Sequence, residues 1–455
     1  MCNKISRREM IVKSGTVAAA GALLRGCAST RSAVLPRKIR DASARRPAGD
    51  RLALGFIGTG GMGQDLLRTF MVHDDIDIVA MADVYDKHAH EAAKLVSEKG
   101  YKPQLYRDFR RVIDHSDIDA VVIATPDHWH AIPTIFACHA GKDVYIEKPL
   151  SHSIFEGRAM IEAARRFNRV TQLGTLIHSS DTYRQVASII QSGVLGDISR
   201  VRIGLANNKI PDGIGRPADC SPPADCDYDF WLGPAPKRPF NPARFTFNWR
   251  FFWEYGGGQL ADFICHFVDL VYMSLDLKAP KSVTAGGGRY ILEDIAETPD
   301  TLDVIWEYEP QGRCAKPFQL VWSHNDACGR RLEGGEWSIA FYGSNATLLA
   351  HYGAYLIIPE MDRPLEGVKL EEAATWSGCA ERHSREFLTS VKSRKRCSCD
   401  VEYGHQMTKL AHIAHMALRT GRKLTWDDEN ERCINAPEAN RLLSREYRAP
   451  WVLPT

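Results

Sequence analysis

"LALGFIGTGGMGQDLLRTF", residues 52–70, decides the fold. Its first half is a short apolar run of the kind that fills a strand buried on both faces. From Gln64 onward the apolar positions recur at helical spacing. Between the two lies Gly58-Thr59-Gly60-Gly61-Met62-Gly63, a G-x-G-x-x-G turn. A second apolar run, 76–82, ends at Asp83, 20 residues beyond Gly63. That spacing belongs to a dinucleotide site: the glycines let the backbone approach a pyrophosphate at a helix N-terminus, and the carboxylate meets the adenosine ribose. Gly58, Gly60, Gly61, Met62, Gly63 and Asp83 are the first cofactor-binding candidates. Asp83 would accept from a free 2′-hydroxyl and repel a 2′-phosphate, and no Arg follows it directly, so NAD is favoured over NADP.

Further along the chain, apolar runs at 119–126 and 142–146 read as more buried strands with helical patterns between them. Strand alternating with helix predicts a doubly wound parallel sheet, whose ligands collect at the carboxyl ends of its strands. Two loops then face the cofactor, the one from Thr125 to His130 and the one at Glu147-Lys148-Pro149. Thr125, Pro126, His128, Trp129, His130, Glu147 and Lys148 join the cofactor-binding set. The alternation changes near residue 173. Strands are expected at 199–204, 281–286, 301–308, 318–323 and 337–342, with helices at 181–191 and 382–392. The segment 227–250 holds too many prolines for a central strand and reads as a subunit-interface or cleft-lining excursion.

Four motifs together, the Gly-rich turn with Asp83, "ATPDHWHA" at 124–131, "EKPLSHS" at 147–153 and "GGGQLADFICHFVDL" at 256–270, give the chain a resemblance to the Gfo/Idh/MocA family. The resemblance spans most of the chain after residue 50. It implies an α/β protein with an NAD-binding Rossmann domain at 49–172. A second, α+β domain at 173–455 would be built on a large, open, mostly antiparallel sheet, with a C-terminal arm. It also implies substrates that are sugars or polyols, and a dimer or tetramer formed through that sheet.

The family's catalytic D-x-x-x-H falls on Asp262 and His266. On a helix, positions four apart share a face, so the carboxylate could fix the tautomer of the imidazole; a capped helix with a satisfied core histidine is the alternative. In hydride transfer from an alcohol, His266 would take the hydroxyl proton and Lys148 would steady the alkoxide. Glu147 either orients Lys148 or is an ordinary exposed carboxylate. His178, Asn248, Arg250 and Tyr255 are candidates to bind substrate hydroxyls, with core or interface packing as the other reading. His405, His412 and His415 lie in an amphipathic helix and read as core and surface residues.

Three functions are compatible with these residues. The leading one is an NAD-dependent carbohydrate oxidoreductase. The second is an NAD-dependent glycoside hydrolase working through transient oxidation at C3 and elimination. The third is a non-catalytic sugar-binding protein. A net charge of +2 without a basic stripe gives no sign of a nucleic-acid partner. The twelve cysteines show no C-x-x-C pair, so no metal site is expected, although Cys220 and Cys226 are candidates for a disulfide. Arg7 and Arg8 precede an uncharged run, 14–24, too short to span a bilayer. Residues 1–48 thus read as an export signal of twin-arginine type and a flexible linker, with Cys27 as a candidate lipid anchor and a periplasmic or membrane-anchored destination. Such a signal carries folded protein, so the dinucleotide would be loaded before export and would need to stay bound and be restored in each cycle.

Overall fold

A computed structural model describes residues 51–332, 335, 337–360, 374 and 377–454. The expected export signal, linker and Cys27 site lie outside the described residues.

Among the described residues six strands form the first sheet: β1 (Leu52–Ile57), β2 (Ile76–Ala82), β3 (Gln104–Tyr106), β4 (Ala120–Ile123), β5 (Asp143–Glu147) and β6 (Thr171–Gly174). They run parallel in the order β3-β2-β1-β4-β5-β6, the doubly wound Rossmann arrangement. All of β4 and β5 is buried, because helices cover both faces; this is why those strands read as unbroken apolar runs. β6 straddles the boundary drawn at 172. Residues from the far end of the chain also join this domain: the helix Cys379–Ser393 sets Phe387 edge-on to Phe70 and Tyr145. The Rossmann domain is therefore completed by a segment outside its own stretch of sequence.

Among the described residues the second sheet has nine strands. They are β7 (Ile198–Ala206), β8 (Ser282–Gly288), β9 (Thr301–Tyr308), β10 (Phe318–Asn325), β11 (Ile339–Gly343), β12 (Ala346–His351), β13 (Ala354–Pro359), β14 (Leu424–Asp427) and β15 (Arg432–Cys433). Their order is β13-β12-β11-β7-β10-β9-β8-β14-β15. Only β7 and β10 run parallel among these pairs. Along β9, Leu302, Val304, Trp306 and Tyr308 are buried while Asp303, Ile305 and Glu307 face outward, the alternation of a sheet covered on one side. The covered side packs on the helices Asp181–Gln191, Gly258–Leu275 and Val401–Thr420, so one continuous core joins both sheets. The expected α/β class with a mostly antiparallel second sheet is what forms.

The excursion after β7 is short helical turns and loop rather than sheet, and it crosses to the Rossmann domain. Tyr85 and Cys226 form an isolated bridge, and the Asp227 amide donates to the Val84 carbonyl at 2.8 Å. Cys220 and Cys226 are free thiols, not a disulfide. Among the described residues no helix is long and apolar enough to cross a membrane.

Candidate active site

The carboxyl ends of β1, β2, β4 and β5 open on a cleft of about 480 Å³. Gly58, Gly60, Gly61, Met62 and Asp83 line one end, and Asp127, Glu147 and Lys148 line the other. The excursion supplies the opposite wall through Trp231, Phe245, Phe247, Trp249 and Arg250. Of the two roles its sequence left open, it has the cleft-lining one.

The Gly-rich end is shaped for a dinucleotide phosphate. Gly58 has φ +83°, and a Cβ there would sit 2.7 Å from the backbone carbonyl carbon of Ala124. A Cβ on Gly63 would run into the Gly58 carbonyl oxygen. Gly61 begins the helix Gly61–Phe70, whose N-terminus no side chain caps, so its first amides are free to meet an anion. Asp83 accepts from the Thr59 amide (2.8 Å) and the Tyr85 amide (2.9 Å), which ties the Gly-rich loop to the end of β2. Its carboxylate retains lone pairs toward the cleft. His88 Nδ1 lies 3.7 Å from the same carboxylate, and both His88 and Arg107 line this end.

At the other end Lys148 Nζ donates to Asp262 Oδ1 at 2.7 Å and to the Asp262 carbonyl at 2.8 Å. Arg250 Nε adds a 3.2 Å bond to the same carboxylate oxygen. Burial alone would raise the Asp262 pKa, but the charges of Lys148 and Arg250 outweigh it and hold the carboxyl well below the usual range. Glu147, buried at 5 % exposure, accepts from the Lys148 amide through Oε2 (3.1 Å), while its Oε1 has no partner. Burial pushes its pKa up to about 7. Asp127 is also buried, and its pKa stands well above the usual value, with Arg250 and Lys148 only partly offsetting the cost of burial.

The helix Gly258–Leu275 does place Asp262 and His266 on one face, but the expected contact is not made. Asp262 spends its carboxylate on two cations. The His266 ring lies beside Phe263 (6.1 Å) and Tyr352 (6.5 Å), and burial followed by the Lys148 charge lowers its pKa to about 3. An ammonium is a stronger partner for a carboxylate than a neutral imidazole, and Lys148 arrives from a loop that sequence spacing could not place.

Several other expected residues spend their polar atoms on the protein itself. His128 and Trp129 both point ring N–H positions at the Trp231 carbonyl, at 3.1 and 2.9 Å. Trp129 still lines the cleft. His130 bridges the two cofactor loops instead of meeting a ligand, with Nδ1 2.7 Å from the Pro149 carbonyl and Nε2 2.9 Å from that of Thr125. Tyr255 is fully buried against His128 and Trp231, its hydroxyl without a partner, so it is a packing residue. His178 pairs with the fully buried Asp269 at 2.8 Å, and Tyr403 donates to the same oxygen at 2.7 Å. A buried carboxylate needs such partners, and that requirement turns His178 away from the cleft. Asn248 does not line the cleft, whereas its neighbour Arg250 does. Thr125 and Pro126 line it as well. Sequence reasoning placed Asp127 in the loop from Thr125 to His130 but not among the site residues, and it passed over the cleft residues His88, Arg107 and Trp231. The only signal for Asp127 was its place directly after Pro126 at the carboxyl end of a buried strand.

Among the described residues no group of three or more His, Cys, Asp or Glu side chains is placed to hold a metal ion. The NAD-binding Rossmann-fold model of the Gfo/Idh/MocA oxidoreductases matches residues 52–175, and the model of that family's C-terminal alpha/beta domain matches 180–298 and 357–453. A glycosyl hydrolase family 109 protein from Shewanella pealeana is 25 % identical over 212 residues, covering 43 % of this chain and 44 % of that protein. An inositol 2-dehydrogenase from Klebsiella pneumoniae is 30 % identical over 161 residues, covering 35 % of this chain and 47 % of that protein. The matches thus span less than half the length of these two relatives. A levoglucosan dehydrogenase in complex with NADH and L-sorbose superposes with a TM-score of 0.63 at 17 % identity, covering 83 % of this chain and 99 % of that one, a likeness of fold. With both domain models matched in order along the chain, on the strand order and the cleft just described, the protein belongs to the Gfo/Idh/MocA oxidoreductase family.

Proposed function

We propose that the protein is an NAD-dependent oxidoreductase acting on a sugar or polyol. The observation that carries this reading is Lys148, which projects from the carboxyl end of β5 into the cleft with its ammonium oriented by Asp262. Gly58, Gly60, Gly61 and the free amides of the Gly61–Phe70 helix would hold the pyrophosphate, and Asp83 the ribose, in preference to a 2′-phosphate. The bound nicotinamide supplies the hydride acceptor. Lys148 donates a hydrogen bond to the reacting hydroxyl oxygen and stabilises the alkoxide that develops there. His266, kept neutral by burial and the Lys148 charge, takes the proton. Arg250 binds a neighbouring hydroxyl from the cleft wall.

The test is absorbance of the reduced nicotinamide in protein purified under native conditions, with a panel of aldoses, polyols and glycosides added. Reduction by one member supports the reading. A protein that retains no dinucleotide and changes with none of the panel refutes it.

Net glycoside hydrolysis by the same residues is a second reading, favoured by the similarity to proteins named glycosyl hydrolase family 109. Oxidation at C3 would acidify the C2 proton, the aglycone would leave, water would add, and the hydride would return. Exchange of the C2 hydrogen with deuterated solvent during cleavage distinguishes it from simple redox chemistry. We further propose export through the Arg7-Arg8 signal, which Arg7→Lys with Arg8→Lys would abolish, and a dimer or tetramer formed on the uncovered face of the nine-stranded sheet, which light scattering would measure.

A further inference from the structure

A second cavity lies behind the first, and Asp127 belongs to the walls of both. The rest of its wall includes Ser151, His152, His412, His415 and Arg419. On a measure by which one water needs about 10–15 Å³, its volume of about 70 Å³ has room for roughly five waters. Arg419, at its outer end, is exposed, so the cavity leads from the buried Asp127 toward solvent.

Its lining is unusual for a core. His152 Nδ1 and His412 Nε2 are buried and have no hydrogen-bond partner. The three imidazoles are near enough in space to influence one another, His152 with His412 and His412 with His415. Each ring also faces a backbone carbonyl: Trp253 for His152, Ser151 for His412 and Gly257 for His415. Buried polar atoms are normally satisfied by protein or ordered water. Rings that can both accept and donate, strung along a cavity wide enough for water, are the components of a proton path.

The proposed oxidation requires such a path. Each oxidation removes a hydride and one proton from the substrate; the hydride stays on the nicotinamide, and the proton has to reach solvent. His266 is a poor resting place for it, since Asp262 is committed to Lys148 and Arg250.

We propose that Asp127 and the histidine-lined cavity behind it conduct the substrate proton between the active site and solvent. This rests on the dehydrogenase reading above. In oxidation the proton reaches Asp127, which lines both cavities, then passes along waters and the rings of His152, His412 and His415; reduction runs the same path inward. Arg250, Lys148 and Asp262 face Asp127, and Arg445 and His128 face His152. His405 faces His412, and Arg419 and His324 face His415. Asp127, favoured as the neutral acid, releases its own proton to the cavity as it takes the next, and each neutral imidazole does the same at its two nitrogens, so no charge is left along the path.

Two measurements test the path. The first needs no substrate: in ¹⁵N-histidine-labelled protein, assigned with His152→Gln and His412→Gln, the ring N–H protons of both residues should exchange with solvent within seconds despite burial. Exchange over hours would overturn the proposal. The second follows nicotinamide absorbance and an indicator dye together in weak buffer, with the most active member of the carbohydrate panel. Proton release should keep pace with hydride transfer in the native protein and fall behind by roughly 10²-fold in Asp127→Asn and His412→Phe. If both variants release protons as fast as the native protein, the path is wrong while the dehydrogenase reading stands. If the native protein shows no hydride transfer with any member, that reading fails, and the exchange measurement still decides whether the cavity conducts.

Discussion

Lys148 Nζ lies 2.7 Å from Asp262 Oδ1, joining a loop of the Rossmann sheet to a helix 114 residues away in sequence. Both side chains are largely buried, at 9 % and 14 % exposure, so the pair is protected from solvent screening. Breaking it should be costly in two ways. Removing one partner leaves an ion in a low-dielectric site, at about 3 kcal/mol, and Lys148→Met should also lower hydride transfer by roughly 10²- to 10⁴-fold. Denaturation of Lys148→Met, Asp262→Leu and the double variant should show a coupling of about 1–3 kcal/mol. The corresponding cycle for Asp262 and His266 should be close to additive. A large Asp262–His266 coupling with none for Lys148 would reverse the assignment.

Glu147 gives the protein without ligand a pH dependence of definite sign. Its folded pKa, about 7, lies above the 4.5 of an ordinary glutamate, so the folded form binds the proton more tightly. The stability this contributes is fully present below the unfolded value and is lost as pH rises through about 7. The shift is worth on the order of 3 kcal/mol. Thermal unfolding between pH 5 and 8 should therefore show a falling melting temperature, and Glu147→Gln should flatten the slope over that range.

Two neighbouring glycines should separate fold from cofactor. Nothing lies within 4 Å of a Cβ on Gly61, so Gly61→Ala should leave the melting temperature of dinucleotide-free protein unchanged and weaken NAD binding where the backbone meets the pyrophosphate. Gly63→Ala forces the added carbon against the Gly58 carbonyl and should lower both. Calorimetric titration with NAD alongside thermal melts checks the pair. Equal effects at the two positions would contradict the geometry.

Tyr255 buries a hydroxyl with no partner. An unsatisfied buried polar group costs about 1–3 kcal/mol, so Tyr255→Phe should raise the melting temperature or leave it in place, with KM for the carbohydrate unchanged. A rise in KM would return Tyr255 to the substrate site.

The C-terminal arm bears on how long the cofactor stays bound. Trp451 stacks on Phe230 at 5.4 Å and meets Trp129 edge-on at 4.8 Å, and the Arg448 amide donates to the Pro234 carbonyl at 2.9 Å. The arm thus fastens the wall that closes the cleft. Trp451→Ala should speed NADH dissociation by about tenfold, equivalent to 1.4 kcal/mol, as read by fluorescence after dilution.

What the sequence determined is what depends on near neighbours. The strand, the Gly-rich turn and the helix at 52–70 are set by local spacing, and Asp83 and Lys148 each follow a buried strand whose carboxyl end must face the cleft. The outer strands β12 and β13 and the return of the 379–393 helix to the first sheet gave no such signal, because edge strands and helices packing on a distant sheet depend on partners far along the chain. The same limit applied at the site. Spacing put Asp262 and His266 on one helical face, and the order of elements made Tyr255 and His178 candidates for substrate hydroxyls, but neither could say which groups would approach these side chains from elsewhere. Tertiary structure decided it: the carboxylate took the two cations that reached it, the tyrosine filled an aromatic core, and the histidine turned to a buried aspartate, since in a low-dielectric interior each buried charge is held by whatever opposite charge or hydrogen-bond donor lies within reach.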